Sequence, residues 1–332
     1  MTVIAQETIE VFDTETQFTL ENGEVLPSLT IAYTMQGNIN ANADNIIWVC
    51  HALTANANAT EWWGDLIGEG KTFDTNKYAV VCANIIGSPY GSTSPLTINP
   101  NTGKNYGLDF PLVTIRDMAK AWELLRKHLG INSIHLLIGG SMGGQQALEW
   151  AIINPDVIQN LVLLATNAQH SAWGIAFNEA QRLAIQAGER GLEAARAIAM
   201  LSYRNYNLYS QTQADEDNVL QEHKAATYQQ YQGQKLASRF DAHCYVSLSR
   251  SMDSHNVGRG RGGVKQALQQ VKAKTVVIGI STDILFPPQE QSFLARNIKG
   301  AYLGIVSSIY GHDAFLIETQ QIANIIKQYK LV

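Results

Sequence analysis

The sequence predicts an α/β fold, a mostly parallel central sheet interrupted by an inserted helical segment, and three observations carry that prediction. Short apolar runs rich in Val and Ile recur along most of the chain with helix-like segments between them, the pattern of strands buried on both faces. That alternation stops at about Asn167, where the chain turns helix-like, polar and rich in Ala and Gln, and it resumes at Lys274. The run Gly139-Gly140-Ser141-Met142-Gly143-Gly144 joins an aliphatic stretch to a helix-like one, the strand-turn-helix setting of a serine held on a sharp turn.

The elements follow in order. Segments 16–20 and 29–34 flank Glu21-Asn22-Gly23-Glu24, and the Asn-Gly pair predicts an antiparallel hairpin at the entry to the sheet. Parallel strands are expected at 46–51, 78–84, 134–138, 161–165, 275–280 and 302–306, with a crossover helix at 115–129 and a closing helix at 314–329. The interruption divides the chain into a first core portion (1–166), a helical lid (167–272) and a second core portion (273–332). A segment that leaves and rejoins one sheet is best placed over the strand ends, where sites in such folds lie.

Composition narrows the partners. The 332 residues carry a formal net charge of −5 with no block of lysine or arginine, which argues against nucleic acid or an anionic membrane as the main partner and leaves small molecules. The N-terminus has no basic segment followed by an apolar stretch, and no apolar run approaches a membrane-spanning length, so a cytoplasmic protein is expected. Cys50, Cys82 and Cys244 are odd in number and widely spaced, indicating neither a disulfide framework nor a zinc site.

Ser141 reads as a nucleophile. A serine so placed is strained, and side chains beside it would collide with the adjoining strand and helix, which accounts for the glycines. Its base and acid should follow in the order Ser, Asp or Glu, His. Of His170, His223, His243, His255 and His312, only His312 follows an expected strand and precedes the closing helix. Asp283 stands at the end of the preceding strand; Glu290, beyond the Pro287-Pro288 pair, is the alternative acid. The oxyanion-binding N–H groups belong to Met142, after the nucleophile, and to Leu53, in the loop after the 46–51 strand. His51 precedes Ser141 and is read as a structural residue holding that loop.

With these residues in place the chain closely resembles the homoserine O-acetyltransferase family of the α/β-hydrolase fold. The likeness runs through His51-Ala52-Leu53-Thr54, the loop from Trp62-Trp63-Gly64 to Gly70-Lys71, Tyr90-Gly91-Ser92-Thr93, 110–118, 139–150, Leu236-Ala237-Ser238-Arg239-Phe240-Asp241, 258–263, 283–287 and 311–316. The resemblance implies ping-pong acyl transfer from acetyl-CoA to the hydroxyl of L-homoserine, with CoA as a co-substrate's leaving group and no metal or bound cofactor. It carries recognition of the substrate carboxylate onto Arg196, with Arg204 ranked second, and recognition of the ammonium group onto Asp313. Read from the sequence alone, Arg196 could equally be a surface residue paired with Glu193. The resemblance also implies a homodimer through the lid helices, and 214–240 has a compatible amphipathic length.

Several features do not follow the family's usual wording: Ala55, Ile86-Gly87-Ser88-Pro89 and Ser94-Pro95, all expected near the pocket mouth and bearing on substrate choice. Gly258-Arg259-Gly260-Arg261-Gly262-Gly263 contains a Gly-x-Gly-x-x-Gly spacing, but no strand precedes it, so a loop whose arginines line the CoA entrance is expected in place of a dinucleotide site. Succinyl-CoA as donor, serine as acceptor, hydrolysis of an ester or thioester, and a silent binding role are the competing readings.

Overall fold

The computed structural model describes residues 7–10 and 17–332. Eight strands form the central sheet: β1 (Glu7–Glu10), β2 (Thr30–Gln36), β3 (Ile46–Cys50), β4 (Ala79–Ala83), β5 (Ile134–Gly140), β6 (Ile158–Leu164), β7 (Lys274–Ile280) and β8 (Tyr302–Val306). Their spatial order is β1-β2-β4-β3-β5-β6-β7-β8. The pairs β1–β2 and β2–β4 are antiparallel, and every pair from β4 through β8 is parallel. The short expected strands are therefore present, several a residue or two longer or shorter than expected.

Alternation along the strands builds two cores. On β3, Ile46, Trp48 and Cys50 face one side while Ile47 and Val49 face the other, and all five are buried. Helices α2 (Ile115–His128) and α3 (Met142–Ile153) cover the first face, where Trp48 meets Trp150 edge-on at 4.8 Å. Thr114 starts α2 with a reciprocal cap, accepting from the Asp117 N–H while Asp117 accepts from the Thr114 N–H. The other face is covered by α1 (Ala59–Trp63) and by α12 (Thr319–Gln328), through Ile322 and Ile326.

Between β6 and β7 no strand joins the sheet among the described residues. Instead come α4 (Ala172–Gln186), α5 (Gly191–Tyr203), α6 (Tyr206–Thr212), α7 (Lys224–Ala237), α8 (Ala242–Asp253) and α9 (Val264–Leu268). After β7 and β8 come α10 (Pro288–Asn297) and the short α11 (Ala314–Ile317).

Three local expectations change. The Asn-Gly turn is present, with Gly23 at φ 89°, but it joins Phe18–Thr19 to Val25–Leu26; segment 29–34 instead enters the main sheet as β2. Thr16 lies outside the described residues. The expected 214–240 stretch is helical only as α7, because Asn218 and Glu222 take positive φ of 73° and 59°. The closing helix is divided at Glu318 into α11 and α12.

Candidate active site

Ser141, Asp283, His312 and the 51–55 loop all follow the carboxyl ends of sheet strands. Ser141 sits between β5 and α3 at φ 57°, ψ −127°, a backbone state that costs an ordinary residue about 1–3 kcal/mol. The turn is locked from several sides. The Ser141 N–H donates to the Leu164 carbonyl at 3.0 Å, and its own carbonyl accepts from Thr166 Oγ1 at 2.8 Å. A Cβ on Gly143 would stand 2.1 Å from the Cys50 carbonyl oxygen, so only glycine lets the first turn of α3 lie against the end of β3. At Gly140 a Cβ would strike the Phe315 ring at 2.6 Å.

The structure brings together the three residues singled out by chain order. His312 Nε2 lies 2.8 Å from Ser141 Oγ, and His312 Nδ1 lies 2.6 Å from Asp283 Oδ2. Because a carboxylate only accepts, Nδ1 carries the proton and Nε2 is the acceptor facing the serine. Asp283 Oδ1 accepts the N–H groups of Leu285 and Phe286 at 2.8 and 2.9 Å, fixing the carboxylate. Thr282 ties the two loops: its hydroxyl donates to the Ser308 carbonyl at 2.7 Å and accepts the Gly311 N–H at 3.1 Å. Phe286 stacks on the imidazole at 5.1 Å and Phe315 meets it edge-on at 5.3 Å. Ser141, His312 and Asp283 are 6%, 2% and 3% exposed, so the relay is shielded yet the serine still reaches a cavity.

Glu290, the alternative acid, lies on α10 and forms no hydrogen bond or salt bridge with His312; it lines a different cavity. His51 is structural in the manner expected. Its Nδ1–H donates to the Ala52 carbonyl at 2.9 Å, its Nε2 accepts the Ile85 N–H at 3.1 Å, and burial pushes its pKa down to about 4. The N–H groups of Leu53 and Met142 donate to no group among the described residues.

The cavity above Ser141 has a volume of about 470 Å³, within the usual range for small-molecule sites. Leu53, Trp62, Arg196, Tyr203 and Asp313 line it beside Ser141 and His312. Arg196 projects from α5 with its guanidinium 5.3 Å over the Tyr203 ring. Glu193 pairs with Arg190 instead, and Arg196 forms no salt bridge among the described residues. Arg204 is already committed: its Nε lies 2.9 Å from Asp313 Oδ2. Burial raises the Asp313 pKa, and the charges of Arg204 and Arg196 act in the opposite direction. Asp313 Oδ1 accepts no hydrogen bond from a described residue.

Tyr203 was not singled out from sequence, although its position two helical turns after Arg196 puts both on one face of α5. Lys235 and Arg239, at the end of α7 and just beyond it, also reach this cavity. Of the loop departures, Ala55 lines the cavity, whereas Ile86, Ser88 and Ser94 are buried and do not.

The 258–263 loop lies elsewhere. Arg259 grips Glu21 at 2.9 and 2.8 Å, Arg261 Nη2 lies 2.7 Å from Glu149, and Arg116 bridges Glu21 and Glu149 at 2.6 and 2.5 Å. These arginines are spent on an ion-pair network that straps the exit of the helical segment to the core, and none lines the cavity above Ser141. A separate cavity of about 790 Å³ beside Gly262, Lys265 and Glu290 contains neither Ser141 nor His312.

Comparison with known proteins agrees with this architecture. Residues 45–319 match the family model described as alpha/beta hydrolase fold. A homoserine O-acetyltransferase of Cyclobacterium marinum is 49% identical over 98% of this chain and 95% of its own length. Among solved structures, a homoserine O-acetyltransferase from Staphylococcus aureus superposes with a TM-score of 0.84 at 31% identity, covering 99% of this chain and 95% of that one. A variant of esterase E22 gives a TM-score of 0.89 at 25% identity, covering 99% of both chains. From its fold and from a likeness that extends over nearly its whole length, the chain belongs to the homoserine O-acetyltransferase family of α/β-hydrolase-fold proteins.

Proposed function

We propose that the protein transfers an acetyl group from acetyl-CoA to the hydroxyl of L-homoserine, with Ser141 as transient acyl carrier. One observation carries this reading: the Ser141–His312–Asp283 relay opens into a cavity that also holds Arg196, a cation in no salt bridge among the described residues. A water-using esterase has no need of a cation there, whereas an amino-acid acceptor brings a carboxylate that suits a planar guanidinium.

In the first half-reaction His312 Nε2 takes the Ser141 proton as Oγ attacks the thioester carbonyl. The negative oxygen is held by the N–H groups of Met142 and Leu53, the C–S bond breaks, and the proton passes from Nε2 to the departing sulfur. In the second, the homoserine hydroxyl gives its proton to Nε2 and attacks the acetyl-serine; collapse frees the O-acetyl product, and the proton returns to Ser141. Asp283 holds the imidazole in the productive tautomer and stabilises the imidazolium between transfers. Arg196 and the free oxygen of Asp313 receive the carboxylate and ammonium of the amino acid. Lys235 supplies positive charge beside the cavity, suited to the phosphates of CoA.

The relay needs no metal or bound cofactor, since serine, imidazole and carboxylate supply the nucleophile, base and orienting acid. We take 167–272 as the lid, assign the protein to the cytoplasm, and propose a homodimer through the lid, whose exposed Leu201, Tyr206 and Leu220 suit burial against a second copy.

The solved esterase with the same fold favours hydrolysis as the second reading. CoA release from acetyl-CoA or succinyl-CoA, measured with homoserine, with serine and with no amino acid, separates them. Acetyl-CoA with homoserine should be fastest by about 10-fold or more, the discrimination that a methylene or a small polar group provides. Equal release without an amino acid would assign the protein as a hydrolase.

A further inference from the structure

The segment Leu236-Ala237-Ser238-Arg239-Phe240-Asp241 is used by none of these steps, yet each of its anchored residues has a distinct task. Leu236 is buried, and its carbonyl accepts the N–H groups of Arg239 and Phe240 at 3.0 Å, ending α7. Asp241 Oδ1 accepts the Cys244 N–H at 3.0 Å, starting α8. Phe240 is buried with its ring edge-on to Tyr90 at 5.8 Å. Between these fixed points Arg239 reaches from the helical segment to the core, where its Nη1 donates to the Thr54 carbonyl at 2.6 Å and to the Tyr90 hydroxyl at 2.5 Å.

Thr54 adjoins Leu53, and two rigid peptide planes connect them in series. The Thr54 carbonyl shares a plane with the Ala55 N–H, which donates to the Ala52 carbonyl at 3.1 Å. The Ala52 carbonyl in turn shares a plane with the Leu53 N–H, and in a trans peptide the two point in opposite directions. Fixing the Thr54 carbonyl therefore orients the Ala55 N–H, which draws the Ala52 carbonyl to one side and turns the Leu53 N–H to the other. The His51 Nδ1–H holds the same Ala52 carbonyl.

We propose that Arg239 is a positioning residue for the oxyanion hole: its guanidinium clasps Thr54 and Tyr90 and so keeps the Leu53 N–H aimed at the acyl oxygen. This rests on the assignment of Leu53 as an oxyanion donor. It also gives the helical segment a direct hold on the acylation chemistry, since the clasp exists only while the α7–α8 junction is seated on the core.

The test uses p-nitrophenyl acetate, which acylates Ser141 and releases p-nitrophenolate without CoA or homoserine. Arg239→Ala should lower the acylation rate by about 10- to 100-fold, less than the 100- to 1000-fold typical of losing a donor outright. It should leave the thermal midpoint and the homoserine KM close to those of the parent, and added guanidinium ion should restore part of the rate. Tyr90→Phe, which keeps the Thr54 bond, should lose less. Parent-like acylation by Arg239→Ala would overturn the proposal, as would a loss that tracks the thermal midpoint and resists guanidinium. A defect confined to the acetyl-CoA KM would also overturn it, making Arg239 a contact to CoA. Acylation of the parent enzyme by p-nitrophenyl acetate but not by acetyl-CoA would refute the proposed transferase and leave the clasp to be judged on these rates. Acylation that persists in Ser141→Ala would refute both.

Discussion

At Asp283, one carboxylate divides its two oxygens between the Leu285 and Phe286 N–H groups on one side and His312 Nδ1 on the other. Asp283→Asn keeps the shape but presents an amide that can hold the wrong imidazole tautomer, so kcat should fall by roughly 10⁴-fold with little change in either KM, as steady-state kinetics would show. In the proposed reaction Arg196 acts on the acceptor only. Arg196→Ala should raise the homoserine KM by about 30-fold, the equivalent of about 2 kcal/mol for a charge-assisted contact, while the acylation burst with acetyl-CoA is unchanged. A loss in the burst itself would place Arg196 in the first half-reaction. Ser141, Asp283 and His312 were legible because the strand-turn-helix context and the chain order are both local patterns. Tyr203 and Arg239 were not, because what each does depends on where α5 and the α7–α8 junction pack against the core, and no spacing records that.

Among the elements, the parallel strands were legible because strands buried on both faces must be apolar throughout. The N-terminal hairpin was only half legible: the turn chemistry at Asn22-Gly23 is local, whereas the choice of partner strand is settled by β2 pairing with β1 and β4. The arginines of 258–263 were misplaced for a similar reason, since their partners Glu21 and Glu149 lie more than a hundred residues away in sequence. Glu149 is 2% exposed and held by Arg116 and Arg261. Glu149→Gln leaves the Arg261 guanidinium without its anion and Arg116 with Glu21 alone, and should cost about 3 kcal/mol in urea unfolding. It should leave the acetyl-CoA KM unaltered; a raised KM would return these arginines to the CoA entrance.

For the whole molecule, acid sensitivity follows from three buried histidines. Burial pushes the pKa of His51 and His170 down to about 4 and that of His255 to about 3. Each is neutral in the folded chain and takes up a proton on unfolding below its ordinary value of about 6.5. The stability they confer is therefore complete above that pH and is lost as pH falls toward 4, by up to about 1.4 kcal/mol per pH unit for each histidine. Glu21 acts lower still. Burial alone would raise it, but hydrogen bonds from Arg259 and Thr114 and the charges of Arg116 and Arg259 hold it at about 2, so its contribution is full above about 4.5 and declines toward pH 2. Urea midpoints should fall steadily between pH 6.5 and 4.5, and His170→Gln should flatten that slope by about one proton. A slope unchanged by the substitution would mean that His170 does not resist protonation in the fold.

In the proposed reaction Ser141 is a carrier that discharges to an amino acid. Intact-mass analysis after mixing with acetyl-CoA should show one added acetyl group, absent in Ser141→Ala, that is lost within the mixing time on adding L-homoserine and persists in buffer alone. An adduct that never forms, or that decays as fast in buffer as with homoserine, would contradict it.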